Sequence, residues 1–462
     1  MISSKVAHEV LETALAKGGD FAEIFLEDTT KNFIEMTSGE VTSATTSNLH
    51  GAGIRILDGY NEAYGYCNDL SKKSLNELAS KLSQSFNKDK QDISFTIKKV
   101  KYENRHKAKV EPLSVPNAKK VEYMKKISEI ALNYSPLIKQ AMVYLQEETQ
   151  NVEIINSDGR RVSDVRHHIR ITVNVVASKD GKMESAHNSV GKNIGFELIE
   201  NLDLEAFTKE ACESALIMLD AQEMVGQELP VVIHNGFGGV ILHEACVHSL
   251  EATSVAKGLS VFTGKLGEQI ASPIVTAVDD GTLENYWGSL NVDDEGTPTR
   301  RNVLIENGIL KSYLVDKRNG RRMNTESTGS SRRQSYRYSP TSRMTNTFFV
   351  NGTSTFEEII AATKYGLFAK KMGGGSVNPV TGEYNFAVLE GYMIKDGKIT
   401  HPVKGATLVG SGKDTLLKID MIANNLETAQ GMCGSVSGSI PTDVGQPTIR
   451  VSSLVVGGRG GK

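Results

Sequence analysis

The chain is poor in the residues that staple or anchor proteins: four Cys, one Trp and eleven Pro among 462 residues. Four cysteines (Cys67, Cys212, Cys246, Cys433) are too few to frame so long a chain with disulfides. Each is then a small buried apolar residue or a ligand. No apolar run approaches the roughly 18 residues of a membrane span. Charge of one sign is also missing. The net charge of −3 gives no basic surplus and speaks against nucleic acid as a partner. The opening Met-Ile-Ser-Ser-Lys runs straight into a polar amphipathic stretch without the apolar centre of a signal peptide, so the expected compartment is the cytoplasm.

What is present is an ordinary globular composition, 39% hydrophobic and 23% charged, in a chain long enough for two or three domains at about 100–200 residues each. Apolar stripes predict helices at 5–17, 75–86, 117–133 and 204–219. Between them lie strand-like segments at 21–27, 33–37, 41–48, 54–57 and 63–66, and again at 138–149, 152–155, 161–178 and 183–191. The turn signals between them predict antiparallel meanders. Residues 87–118 are Lys-rich, carry two prolines and read as a connection. Helices flank a meander twice, which suggests a diverged duplication. From about 225 the texture changes to glycine-rich turns and short strands. Helices are expected there only around His243 and at 356–370. The fold class is therefore α+β: an N-terminal helix-plus-meander domain over 1–224, and a β-rich, barrel-like domain over 225–462 that carries the helix of the candidate site.

That helix lies in Gly236-Phe-Gly-Gly-Val-Ile-Leu-His-Glu-Ala-Cys-Val-His-Ser-Leu-Glu251. His243 and His248 can hold a metal, and Glu244 between them can take a proton from water. The spacing is i, i+5. On a regular helix that sets the two imidazoles about 140° apart, against about 40° for the familiar i, i+4 pair. If both bind one ion, the helix must bulge or end between them. Candidates for a third ligand are Cys246, Cys433, Glu251, His234 and His401. Cys246 points away from converging histidines and suits the core. Glu251, one turn beyond His248, can be a ligand or can orient that His. His234 ends a strand. Cys433 sits in Gly431-Met-Cys-Gly-Ser-Val-Ser-Gly438, which reads as a loop with no apolar periodicity to bury it, and a lone Cys among glycines suits a thiolate ligand.

These residues resemble the HExxxH signature of the TldD/PmbA family of metalloproteases. So do later blocks in the same order: Asp279-Asp-Gly-Thr282, Asp293-Asp-Glu-Gly-Thr-Pro298, Arg332-Arg-Gln-Ser-Tyr336, Arg343-Met-Thr-Asn-Thr347 and Met432-Cys-Gly434. The resemblance implies the TldD type, which keeps the motif, and not the PmbA/TldE type, which lacks it and acts as a partner subunit. It implies that His243, His248 and Cys433 bind Zn2+ and that Glu244 is the general base. It implies a peptidase for unfolded or short peptides, working as a homodimer or as a heterodimer with a motif-lacking relative. One departure is Val247, where the family usually has Gly. Strand addition to an open sheet edge would bind such a peptide with little side-chain readout. Arg332, Arg333, Arg343 and Asn346, with Tyr336, are candidate substrate contacts. The acidic clusters lack the ligand spacing of a calcium loop and read as turn and cap chemistry. The alternative is a non-catalytic peptide-binding or partner subunit of the same family.

Overall fold

The computed structural model describes residues 2–378 and 381–460. The first half is one long-stranded sheet with helices on one face. In chain order it runs α1 (Ser4–Ala14), β1 (Phe21–Thr37), β2 (Glu40–Asp58), β3 (Asn61–Cys67), α2 (Lys72–Ser83), β4 (Lys98–Lys99), α3 (Asn117–Tyr134), β5 (Ile138–Asn156), β6 (Arg160–Lys179), β7 (Lys182–Lys192), α4 (Glu197–Glu200) and α5 (Leu204–Leu219). Side-chain oxygens of Ser3, Ser71 and Asp203 accept from the first free amides of α1, α2 and α5, the usual way such helices start. Strand order is β3-β2-β1-β5-β6, with β7 also on β6. The helix–meander–helix order thus occurs twice around an antiparallel β1–β5 pair.

The expected short strands are fused. Thr29 to Asn32, which read as a turn, lies inside β1, because β1 is paired with β2 on one side and β5 on the other throughout that stretch. Alternation then divides the sheet into two faces. Ile24, Leu26, Ile54 and Ile56 pack under α1 and α2, and Val143, Leu145, Ile171 and Val173 under α3 and α5. The opposite face carries Phe25, Val152, Ile154 and Val162, which pack against Val292 and Tyr336 of the second half.

Among the described residues, the second half has two large sheets and a two-stranded one, Ser331–Arg332 with Thr341–Ser342. β8 (Gln222–Glu223) and β9 (Gln227–Ile233) open the first. There β9 lies between the strand Tyr365–Val377, in parallel, and the strand Ile449–Gly457. With Thr407–Ser411 and Glu383–Lys395 these close a five-stranded barrel. The second is a six-stranded sheet that ends in the hairpin Glu427–Ser435 and Gly438–Gln446. The helix expected over 356–370 covers only Phe356–Ala361; sheet pairing on both edges draws the chain straight from Tyr365 onward. After β9, helix α6 (Val240–Ala245) is buried between the barrel and the second sheet. Its entry is tight. A Cβ on Gly239 would lie 2.5 Å from the Gly445 backbone, so the run Gly236-Phe-Gly-Gly239 lets the helix start press against the hairpin strand. Among the described residues no helix is long and apolar enough to cross a membrane.

Candidate metal centre

Helix α6 stops at Ala245. Cys246 has φ −125° and ψ −59°, outside helical geometry, and Val247–Leu250 continues as a 3₁₀ turn. The break falls at Cys246, so Val247 in place of Gly is accommodated with a buried side chain. The turn brings the two imidazoles together, with ring centroids 4.9 Å apart and planes at 88°. The i, i+5 spacing is thereby resolved by helix termination.

Cys433 comes from the far side, and its setting differs from the loop expected. It lies on the strand Glu427–Ser435, opposite Ile440, and is only 4% exposed. The glycines around it belong to a hairpin whose alternation turns Met432 out and Cys433 in. Its Sγ lies 3.3 Å from Nε2 of His248. One donor atom each of His243, His248 and Cys433 lies within 4.8 Å of the others, the one such group of His, Cys, Asp or Glu found among the described residues.

Two carboxylates flank the three donors. His243 is 3% exposed, and its buried Nδ1 has no hydrogen-bond partner. An unpaired buried nitrogen is costly unless something else satisfies the ring. Glu251 places Oε1 3.3 Å from Nδ1 of His248, so the second nitrogen of that ring faces a carboxylate. Glu244 places Oε2 3.6 Å from Nε2 of His248, and its side chain is 28% exposed. Burial alone would push the Cys433 thiol up, but His243 and His248 outweigh it and hold the thiol well below its ordinary range. Burial likewise lowers His248, and Glu251 with Cys433 outweighs it and raises the imidazole well above its usual value. Cys246 shows the contrast: burial without a partner pushes it up to about 12, an inert core thiol. Two imidazoles and a sulfur held toward its anionic form are a donor set whose chemistry suits zinc.

Residues 22–85, 110–219 and 226–458 match the three successive domain models of the PmbA/TldA metallopeptidases: domain 1, the central domain and the C-terminal domain. The metalloprotease TldD homolog of Haemophilus influenzae is 35% identical over 99% of this chain and 97% of its own. The chain belongs to the PmbA/TldD metallopeptidase family. A zinc metalloprotease TldD homolog of Saccharolobus solfataricus is 24% identical over 96% of this chain and 97% of its own. In fold, the structure of TldE from Thermococcus kodakarensis superposes with a TM-score of 0.77 at 20% identity, covering 98% of this chain and 99% of that one.

In this PmbA/TldD chain, the expected substrate contacts are buried and hydrogen-bonded to other residues of the chain. Arg332 is 3% exposed and donates to the carbonyls of Met344 and Pro441. Arg333 donates to Glu23 and to the Asp294 carbonyl and stacks 4.3 Å over Phe25. Asn346 is wholly buried and bonded to Asp280, Ser289 and Gly288. Tyr336 donates to Asn68 through its hydroxyl. Arg343, also wholly buried, reaches the hairpin that carries Cys433. Their polar groups point to other residues of this chain. The acidic clusters are likewise internal: Asp279 accepts from Thr345 and Thr347, and Asp293 from the amides of Glu295, Thr297 and Ser331. His234 contacts Thr448, on the barrel side. Glu251 and Arg343 are the residues whose place at the centre the motif did not fix. Glu251 sits one turn beyond His248, but nothing in the spacing of Arg343 ties it to Cys433.

Proposed function

We propose that the chain is a zinc-dependent peptidase for unfolded or short peptides, with His243, His248 and Cys433 as metal ligands and Glu244 as general base. The observation that carries this reading is the convergence of three donor atoms from two distant segments around a break in the helix, with a carboxylate at the rim. A bound zinc supplies Lewis acidity toward a peptide carbonyl and toward water. Glu244 takes the proton from the attacking water and returns it to the leaving amine. Its partial exposure gives it access to both. His248 is held by Glu251, and Cys433 by the hairpin, so the donors keep their places while substrate exchanges. An extended backbone is the natural substrate for a site on a β-rich scaffold, because strand addition satisfies main-chain groups without reading side chains.

The test measures metal content and cleavage of an unfolded peptide for the wild type, His243→Ala, Glu244→Ala and Cys433→Ala. Stoichiometric zinc in the wild type and in Glu244→Ala, with cleavage lost in the latter, is the expected result. A wild type without metal, together with undiminished cleavage by Glu244→Ala, overturns the reading. Full zinc content in Cys433→Ala removes Cys433 from the ligand set.

A further inference from the structure

The centre is assembled from two segments 185 residues apart in sequence, His248 and Cys433. One buried side chain touches the supports of both. Arg343 donates from Nη2 to the carbonyl of Cys433 at 2.5 Å, and from Nη1 to Ser437 Oγ at 2.8 Å and Gly438 O at 2.9 Å. It thereby holds the backbone of the cysteine and the turn that closes its hairpin. Its Nε faces Oε1 of Glu251 at 4.0 Å, and that same oxygen lies 3.3 Å from Nδ1 of His248. Arg343 Nε and Glu251 Oε1 are both buried, and Oε1 lies between the guanidinium and the ring of His248, so the carboxylate links the two.

We propose that Arg343 and Glu251 are the positioning pair of the metal centre, Arg343 fixing Cys433 through its main chain and Glu251 fixing the ring of His248. The proposal rests on the metal reading given above and adds residues that no ligand motif contains. A guanidinium suits this place because its planar fork donates in three directions at once, to a carbonyl, to a turn and toward a carboxylate. Lysine has the charge but not the fork. Glutamine at 251 has the shape but not the charge. The two substitutions therefore separate geometry from electrostatics. Carboxylates that orient ligating histidines change metal affinity by about 10- to 100-fold when removed.

Full-length protein is stripped of metal and titrated with Co2+ against a competing chelator. The thiolate-to-cobalt charge-transfer band reports whether sulfur is bound. Glu251→Gln should weaken Co2+ binding about 10- to 100-fold and keep the band, because Cys433 stays in place. Arg343→Lys should weaken binding and also diminish or shift the band, because the cysteine is no longer fixed. Arg55→Met, far from the centre, is the control: it should lower the Tm and leave Co2+ affinity unchanged. Wild-type affinity and an unaltered band in both variants overturn the proposal. If circular dichroism shows Arg343→Lys to be unfolded, Glu251→Gln alone decides, and wild-type affinity in it overturns the proposal. A wild type that holds neither Zn2+ nor Co2+ overturns the metal reading itself, whereas normal wild-type binding with unchanged variants overturns only the positioning role.

Discussion

Two buried polar clusters in this molecule look alike in composition and behave as opposites. One is the seam where the N-terminal sheet meets the second half. There Arg55 pairs with Glu23 at 3.2 Å and Glu295 at 2.7 Å, Arg333 with Glu23 at 2.5 Å, and Arg166 with Asp164 at 3.2 Å and Asp294 at 2.8 Å. Every guanidinium is matched by carboxylates of this chain, and several of those pairs join the two halves. The other cluster is the His243–His248–Cys433 pocket. It collects electron-pair donors and leaves Nδ1 of His243 without a hydrogen-bond partner, and the two imidazoles are what draw the thiol toward its anionic form. Burial and sequence distance are common to both. What separates a fastener from a site is whether the chain's own charges close the account.

The sharpest way to test the contrast is to change one group in each. Glu244→Gln should lower peptide cleavage by about 10²–10⁴-fold with zinc and Tm unchanged, as measured by single-turnover assays and metal analysis. Arg55→Ala should do the reverse. It removes the guanidinium from Glu295 and leaves Glu23 with Arg333 alone, and it should cost about 3–5 kcal/mol in denaturant unfolding, with metal content intact. A seam variant that loses metal, or a Glu244 variant that melts early, would break the comparison.

A smaller effect concerns acid. His168 is buried at the seam, its Nε2 3.0 Å from the Trp287 carbonyl, and burial lowers its pKa from 6.5 to about 4. Between those values the unfolded chain binds the extra proton and the folded one does not. Stability therefore falls as pH drops from about 6.5 to about 4, by up to roughly 3 kcal/mol from this group. In His168→Gln that part of the slope should vanish when unfolding is followed from pH 7 to pH 4; an unaltered slope would assign the acid sensitivity elsewhere. A change of similar size is expected for Gly412→Ala. Its Cβ would sit 1.7 Å from the carbonyl of Ala245, where α6 ends, so the barrel wall and the helix break must move apart. Overpacking of this kind costs about 1–3 kcal/mol, and the Co2+ spectrum should register the shift.

Much of the scaffold was legible in the residues, for reasons that also explain the rest. The stripes of α1, α2, α3 and α5 are local, and the helices lie within a few residues of where periodicity sets them. Strand lengths were not legible, because Thr29 to Asn32 is turn-like by composition and becomes strand through pairing on both edges, with nearby β2 and with β5 more than a hundred residues away. The histidine spacing demanded a break in the helix, and the break is there. Cys433 was singled out for a wrong reason: glycine neighbours suggested a loop, whereas they belong to a hairpin that buries the sulfur. The partners of the arginines were the least legible. Arg333 finds its carboxylate at Glu23, 310 residues earlier, and no local pattern carries that information.

The barrel has a consequence for how the protein comes into being. β9, which leads into α6, is flanked on one side by Tyr365–Val377 and on the other by Ile449–Gly457. Cys433 also arrives late. While the ribosome has yet to deliver residues 433–457, the helix lacks a wall and the histidines lack their sulfur. The three donors therefore cannot meet until both the helix segment and the strand carrying Cys433 are present.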